Sequence, residues 1–121
     1  MYQRGIRGAV TIDENTQESI KSATIELITE IKQQNNIAPK DISHVIFTMT
    51  EDLNEVYPAK IAREEFKDWK YVPMMCFNEM NIRNSLEKCL RILIVINTQL
   101  EQKEIRHVYL KGAAKLREDL K

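Results

Sequence analysis

The chain has 121 residues, enough for one domain built on a single core. Hydrophobic residues make up 43% and charged residues 30%, which excludes a disordered chain. Lysine plus arginine equals aspartate plus glutamate at 18 each, so no global basic field exists to attract nucleic acid or an anionic membrane.

Residues 3–12 (QRGIRGAVTI) read as a strand that ends near Asp13. Asn15 is placed to cap a helix, with Glu18 three residues on to answer it. Ile20, Ala23, Thr24, Leu27, Ile28 and Ile31 then form a 3.6-residue apolar stripe. Asn35, Asn36 and Pro39 close that helix. Residues 45–50 are β-branched or apolar and predict a second strand. Pro58 suits the first turn of a shorter helix over 58–67. Residues 71–77 predict a third strand, and Pro73 within it implies an edge, a bulge or an early strand position. Residues 81–85 make a turn or a short helical start. Residues 89–98 (CLRILIVINT) give the clearest strand, apolar on both faces, so both faces should be covered. Residues 105–110 predict a last strand, and 112–121 a polar tail.

The order β-α-β-α-β-β-β predicts an α+β domain, a mixed or mostly antiparallel sheet with its helices on one face. A domain of this size buries about two-thirds of the surface its unfolded chain exposes. That leaves little for a deep private pocket, so a ligand site between subunits is a natural arrangement. The opening MYQRGIRGAV lacks the apolar stretch of a signal peptide, and the run Ile92 to Ile96 falls far short of a membrane span. A cytoplasmic location follows as the expectation, with Cys76 and Cys89 reduced. His44 and His107 stand apart with no paired Cys/His spacing, so no metal site is expected.

Arg91 starts the apolar strand between Leu90 and Ile92, with Leu93 and Val95 continuing its face. A guanidinium there needs an anion, either an internal carboxylate or a ligand. Taken alone, Arg91 fits the internal partner better. Arg7 shares a face with Ala9, opposite Ile6, and is bracketed by Gly5 and Gly8; an exposed edge arginine is the plainer alternative. Glu79 ends a largely apolar segment, placed to bind a hydroxyl or to pair with Arg91. Cys76 and Glu79 have opposite strand parity, so they share a site only if the strand ends or bulges between them. Cys89 reads as a buried structural thiol. Tyr109 alternates with His107 and Lys111, its hydroxyl reaching a carboxylate or simply water. Arg63 lies beside two glutamates on a helix, which is usually a solvated face, and Arg117 in the tail is equally ambiguous. Arginines on separate strands with one carboxylate, one thiol and one phenol suit binding of a small polycarboxylate more than hydrolysis.

The motifs R-G-I-R-G-A at 4–9, P-A-K-x-x-R at 58–63, W-x-Y-V-P at 69–73, C-x-x-E-M at 76–80, K-C-x-R at 88–91, I-R-H-V-Y-L at 105–110 and L-R at 116–117 carry a resemblance. Over nearly its whole length the chain resembles the monofunctional chorismate mutases typified by Bacillus enzymes. The resemblance implies an α+β homotrimer, a trimeric pseudo-barrel with active sites at the subunit interfaces. It implies the Claisen rearrangement of chorismate to prephenate with no cofactor. It implies Arg7, Glu79 and Arg91 as the catalytic set. Arg7 and Tyr109 would hold the side-chain carboxylate, and Arg91 would touch that side chain and the ether oxygen. Glu79, with Met75 and Cys76 nearby, would bind the ring hydroxyl. Tyr57, Arg63, Leu116 and Arg117 would complete the pocket, Tyr57 and Arg63 from the neighbouring subunit. Two other readings are an enamine/imine deaminase on a similar trimer and a non-catalytic sensor of an aromatic-pathway carboxylate; neither is expected to convert chorismate.

Overall fold

The computed structural model describes residues 1–117. Five strands form one mixed sheet: β1 (Tyr2–Thr11), β2 (Ile42–Met49), β3 (Met74–Asn78), β4 (Cys89–Thr98) and β5 (Val108–Leu110), in spatial order β3-β2-β4-β1-β5. β4 is central and antiparallel to β1 and β2, whereas β3 and β5 are parallel edge strands. Two α-helices accompany it among the described residues, α1 (Gln17–Asn35) and α2 (Pro58–Glu65).

Alternation sorts the strand residues onto two faces. Ile6, Gly8 and Val10 of β1, Val45 and Phe47 of β2, and Ile92 and Ile94 of β4 are buried on one face. They join one core with the stripe Ile20, Leu27, Ile28 and Ile31 of α1 and with Ile61 and Ala62 of α2. The stripe residues are those the 3.6-residue spacing predicts. Gly8 is a glycine because α1 presses on it: a Cβ there would stand 2.6 Å from Ile31 Cδ1 and 3.1 Å from Leu27 Cδ1.

Several boundaries differ from the sequence expectation, each for a local reason. Thr16, not Asn15, caps α1, its hydroxyl accepting from the Ser19 N–H at 3.1 Å. Asn15 is engaged elsewhere, with Asn54. β3 begins at Met74 because Lys67–Trp69 form a 3-10 turn that buries Trp69, and Val72 N–H closes on the Trp69 carbonyl. Pro73 thus immediately precedes an edge strand. β5 shortens to Val108–Leu110 because the Arg106 backbone is clamped by the Asn35 side chain, which both donates to its carbonyl and accepts from its N–H. Lys111–Lys115 is a 3-10 turn with Ala113 buried rather than a polar tail. The end of that tail, 118–121 with Glu118, lies outside the described residues.

The second face of the sheet is not covered as β4's apolar pattern predicts. Leu93, Val95 and Ile46 are only half-buried there, and Met75 and Phe77 are 60% and 49% exposed. Among the described residues, only near Ala9 and Cys89 does the Lys111–Lys115 turn cover it, through Ala113, with Leu86, Tyr109 and Leu116 packed around.

Candidate active site

Strand register assembles the site on that open face. One row across the sheet reads Phe77, Thr48, Arg91, Ala9, Tyr109, and the next reads Met75, Ile46, Leu93, Arg7. Ala9 is the small member of its row, and its methyl leaves room between Arg91 and Tyr109. A cavity of about 300 Å³ opens there, lined by Arg7, Ala9, Thr48, Glu79, Arg91 and Tyr109 with Ile46 and Leu93.

Glu79 sits just beyond β3, its N–H donating to the Met49 carbonyl at 2.8 Å. Its Oε1 accepts from the Thr48 hydroxyl at 2.6 Å and lies 3.2 Å from Arg91 Nε. The two charged side chains are 24% and 27% exposed. Arg91 Nε is itself buried without an aligned hydrogen bond among the described residues, so the contact is an ion pair rather than a well-directed donor. The internal carboxylate that a buried arginine demands is therefore present, and the pair still faces a cavity.

Arg7 is held through its backbone. Its N–H donates to His107 Nδ1 at 2.9 Å, so the ring carries its proton on Nε2. Burial pushes the His107 pKa below the usual imidazole value, and the Arg7 and Arg117 charges push it the same way. His107, isolated in the sequence, is here joined to a site residue. Thr48 is the other residue that sequence reasoning missed; a lone threonine within a β-branched strand carries no signal until the strand pairing is known.

The remaining expected residues fall in different places. Leu116 packs with Tyr109 in the small cluster around Ala9. Arg117 is exposed, near enough for its charge to act on His107. Cys76 keeps its strand parity and faces the helices, packed on the main core. Glu79 keeps the opposite parity, on the open face with Met75 and Phe77, so within one chain the two residues do not share a face. Tyr57, 70% exposed at the start of α2, lines a second hollow of about 550 Å³ with Cys76, Lys60 and Phe77. Arg63 is exposed further along α2, and Met75 is exposed on the open face. One chain thus brings together Arg7, Glu79, Arg91 and Tyr109, and holds Tyr57 and Cys76 at a separate hollow.

Neither thiol is poised for attack. Burial raises the Cys76 pKa, opposed by a hydrogen bond to the Ala59 backbone. Burial also raises that of Cys89, opposed by the Arg91 charge. The arrangement offers fixed cations and one oriented carboxylate, which suits charge stabilisation of a bound anion.

The family model for chorismate mutase type I matches residues 3–120. The chorismate mutase AroH of Bacillus subtilis (strain 168) is 41% identical over 120 residues, covering 99% of this chain and 94% of that protein. The chorismate mutase AroH of Thermus thermophilus is 42% identical over 118 residues, covering 97% and 95%. A solved structure, a chorismate mutase from Clostridium thermocellum, superposes with a TM-score of 0.85 at 41% identity, covering 90% of this chain and 96% of that one.

Proposed function

The chain belongs to the chorismate mutase type I family, isomerases that convert chorismate to prephenate, and from that premise we propose that its open-face cavity is half of an active site completed by a second subunit. The observation that carries this reading is the split of the site residues. Arg7, Glu79, Arg91 and Tyr109 share one cavity, while Tyr57 and Cys76 share another hollow of the same chain. An uncovered apolar sheet face adjoins the first group. A single-domain chain assembling as a homotrimer through that face would bring one group of each chain to the other group of its neighbour. Among the described residues no helix is long and apolar enough to cross a membrane, and a cytoplasmic enzyme acting on a small metabolite fits this reading.

The chemistry follows from the side chains. The rearrangement is concerted, so it needs no nucleophile, proton transfer or cofactor. The ether C–O bond breaks ahead of C–C formation, and negative charge grows on the ether oxygen. Arg91, fixed in the sheet, stabilises that charge more in the transition state than in the ground state. Losing such a donor typically costs about 3–4 kcal/mol of barrier lowering. Arg7 and Tyr109, one row apart on adjacent strands, hold the side-chain carboxylate over the ring, and Glu79 accepts the ring hydroxyl. Tyr57, Arg63, Met75 and Cys76 of a neighbour, with Leu116 and Arg117, close the pocket. Restraining the reactant in a chair-like geometry supplies the rest of the acceleration.

Subunit mixing tests this. Arg91→Ala and Arg63→Ala variants are each expected to lose turnover of chorismate, followed by its ultraviolet absorbance. Refolded together, they form mixed assemblies in which some interfaces carry both wild-type residues, and activity returns. No recovery from verified mixed assemblies would place the site within one chain.

A further inference from the structure

We propose that Thr48 is a positioning residue for the reaction, fixing Glu79 so that one chosen carboxylate oxygen faces the substrate hydroxyl. The inference rests on the reading of Glu79 as an active-site residue.

Three contacts define the geometry. The Thr48 hydroxyl donates to Glu79 Oε1 at 2.6 Å, a short charge-assisted bond. Arg91 Nε approaches the same oxygen at 3.2 Å. The Glu79 N–H is held by the carbonyl of Met49, the residue after Thr48, at 2.8 Å. Thr48 and Arg91 are direct register partners on β2 and β4, so the sheet sets the gap that the carboxylate bridges. Both contacts converge on Oε1, and among the described residues no hydrogen bond reaches Oε2. Oε2 is therefore the acceptor left for a ligand in the cavity.

Glutamate has a freely turning terminal carboxylate. With only Arg91 to hold it, Glu79 would turn both oxygens onto the guanidinium in the bidentate manner that arginine favours. That would remove the acceptor from the substrate and tie up the cation that the transition state needs. The Thr48 hydroxyl prevents both by occupying Oε1. It touches no reacting atom itself; it acts through Glu79.

The test is a double-mutant cycle on the full-length enzyme, reading kcat and KM for chorismate. Thr48→Val keeps the shape and removes the donor; kcat/KM is expected to fall about tenfold, the scale of one hydrogen bond to a charged group. Thr48→Ser, which restores the hydroxyl, recovers most of it. In a Glu79→Ala background, Thr48→Val costs nothing further. Full activity in Thr48→Val, failure of Thr48→Ser to recover it, or an equal loss in the Glu79→Ala background would overturn the proposal. Full activity in Glu79→Ala overturns instead the reading of the site on which it rests. Should Thr48→Val not fold, Thr48→Ala enters the same cycle with the same expectations.

Discussion

Arg91 Nε and Glu79 Oε1 stand 3.2 Å apart, a partly buried ion pair at the lip of a cavity rather than within a closed core. Removing one partner leaves the other uncompensated, so each variant reports on both charges. Arg91→Ala is expected to lower kcat by about 10²–10³-fold, the scale of losing an oxyanion donor. Arg91→Lys recovers only part, because lysine keeps the charge and loses the planar fork. Steady-state turnover of chorismate measures both; wild-type kcat in either variant contradicts the role.

Strand register sets Ala9 between Arg91 and Tyr109. Ala9→Val fills the space between Arg91 and Tyr109 in the register row. Ala9 is already fully buried by Ala113 and its neighbours, so overpacking costs about 1–3 kcal/mol of stability as well. The expected signature is a large rise in KM in a protein that still melts cooperatively. An unchanged KM would mean the cavity does not receive the substrate.

Gly8→Ala is expected to destabilise the fold by about 1–3 kcal/mol. The new methyl would meet Ile31 Cδ1 at 2.6 Å, Ile92 Cγ2 at 3.0 Å and Leu27 Cδ1 at 3.1 Å, so α1 must shift off the sheet. For a domain of this size that lowers Tm by about 4 °C per kcal/mol. A thermal melt that matches the wild type would show that α1 yields without cost.

His107 makes stability depend on pH in a defined direction. Its folded pKa lies below the ordinary value of 6.5, chiefly through burial. The unfolded chain therefore binds the proton first. Stability is fully present above pH 6.5 and falls as pH drops from there toward the lowered folded pKa. Protonation also removes the acceptor for the Arg7 N–H. His107→Asn keeps a side-chain acceptor that does not titrate. Tm measured from pH 7.5 to 5 should decline more steeply in the wild type than in His107→Asn; parallel slopes would remove His107 from the account.

Val95→Asp tests the open face. Val95 is half-buried there and lies outside the cavity. If the proposed assembly forms through that face, a charge there leaves the chain folded and shifts it to monomers in sedimentation, with activity lost. A variant that assembles and turns over normally would show that the interface lies elsewhere.

Much of the site was legible in the chain because strand parity is a local property. Arg7 with Ala9 opposite Ile6, and Arg91 with Leu93 and Val95, fall on the faces that alternation assigns. The stripe of α1 and the edge position of Pro73's strand are local in the same sense. The motifs scattered from Arg4 to Arg117 also sufficed to place the chain in its family. Boundaries failed where side chains separated in sequence took over the backbone, as when Asn35 clamped Arg106 and shortened β5.

What only the tertiary structure decided is which residues meet. Register between β2 and β4 sets Thr48 opposite Arg91, and no periodicity within either strand contains that pairing. Parallel pairing of β3 with β2 carries Glu79 to the Thr48 hydroxyl and to Arg91, whereas parity says only that Cys76 takes the other face. His107 reaches Arg7 across the sheet edge because β5 starts one residue later. Alternation fixes which face a side chain takes, through steric rules within a few residues. Partnership depends on how distant segments align, and that is settled by packing the helices against the other face of the sheet.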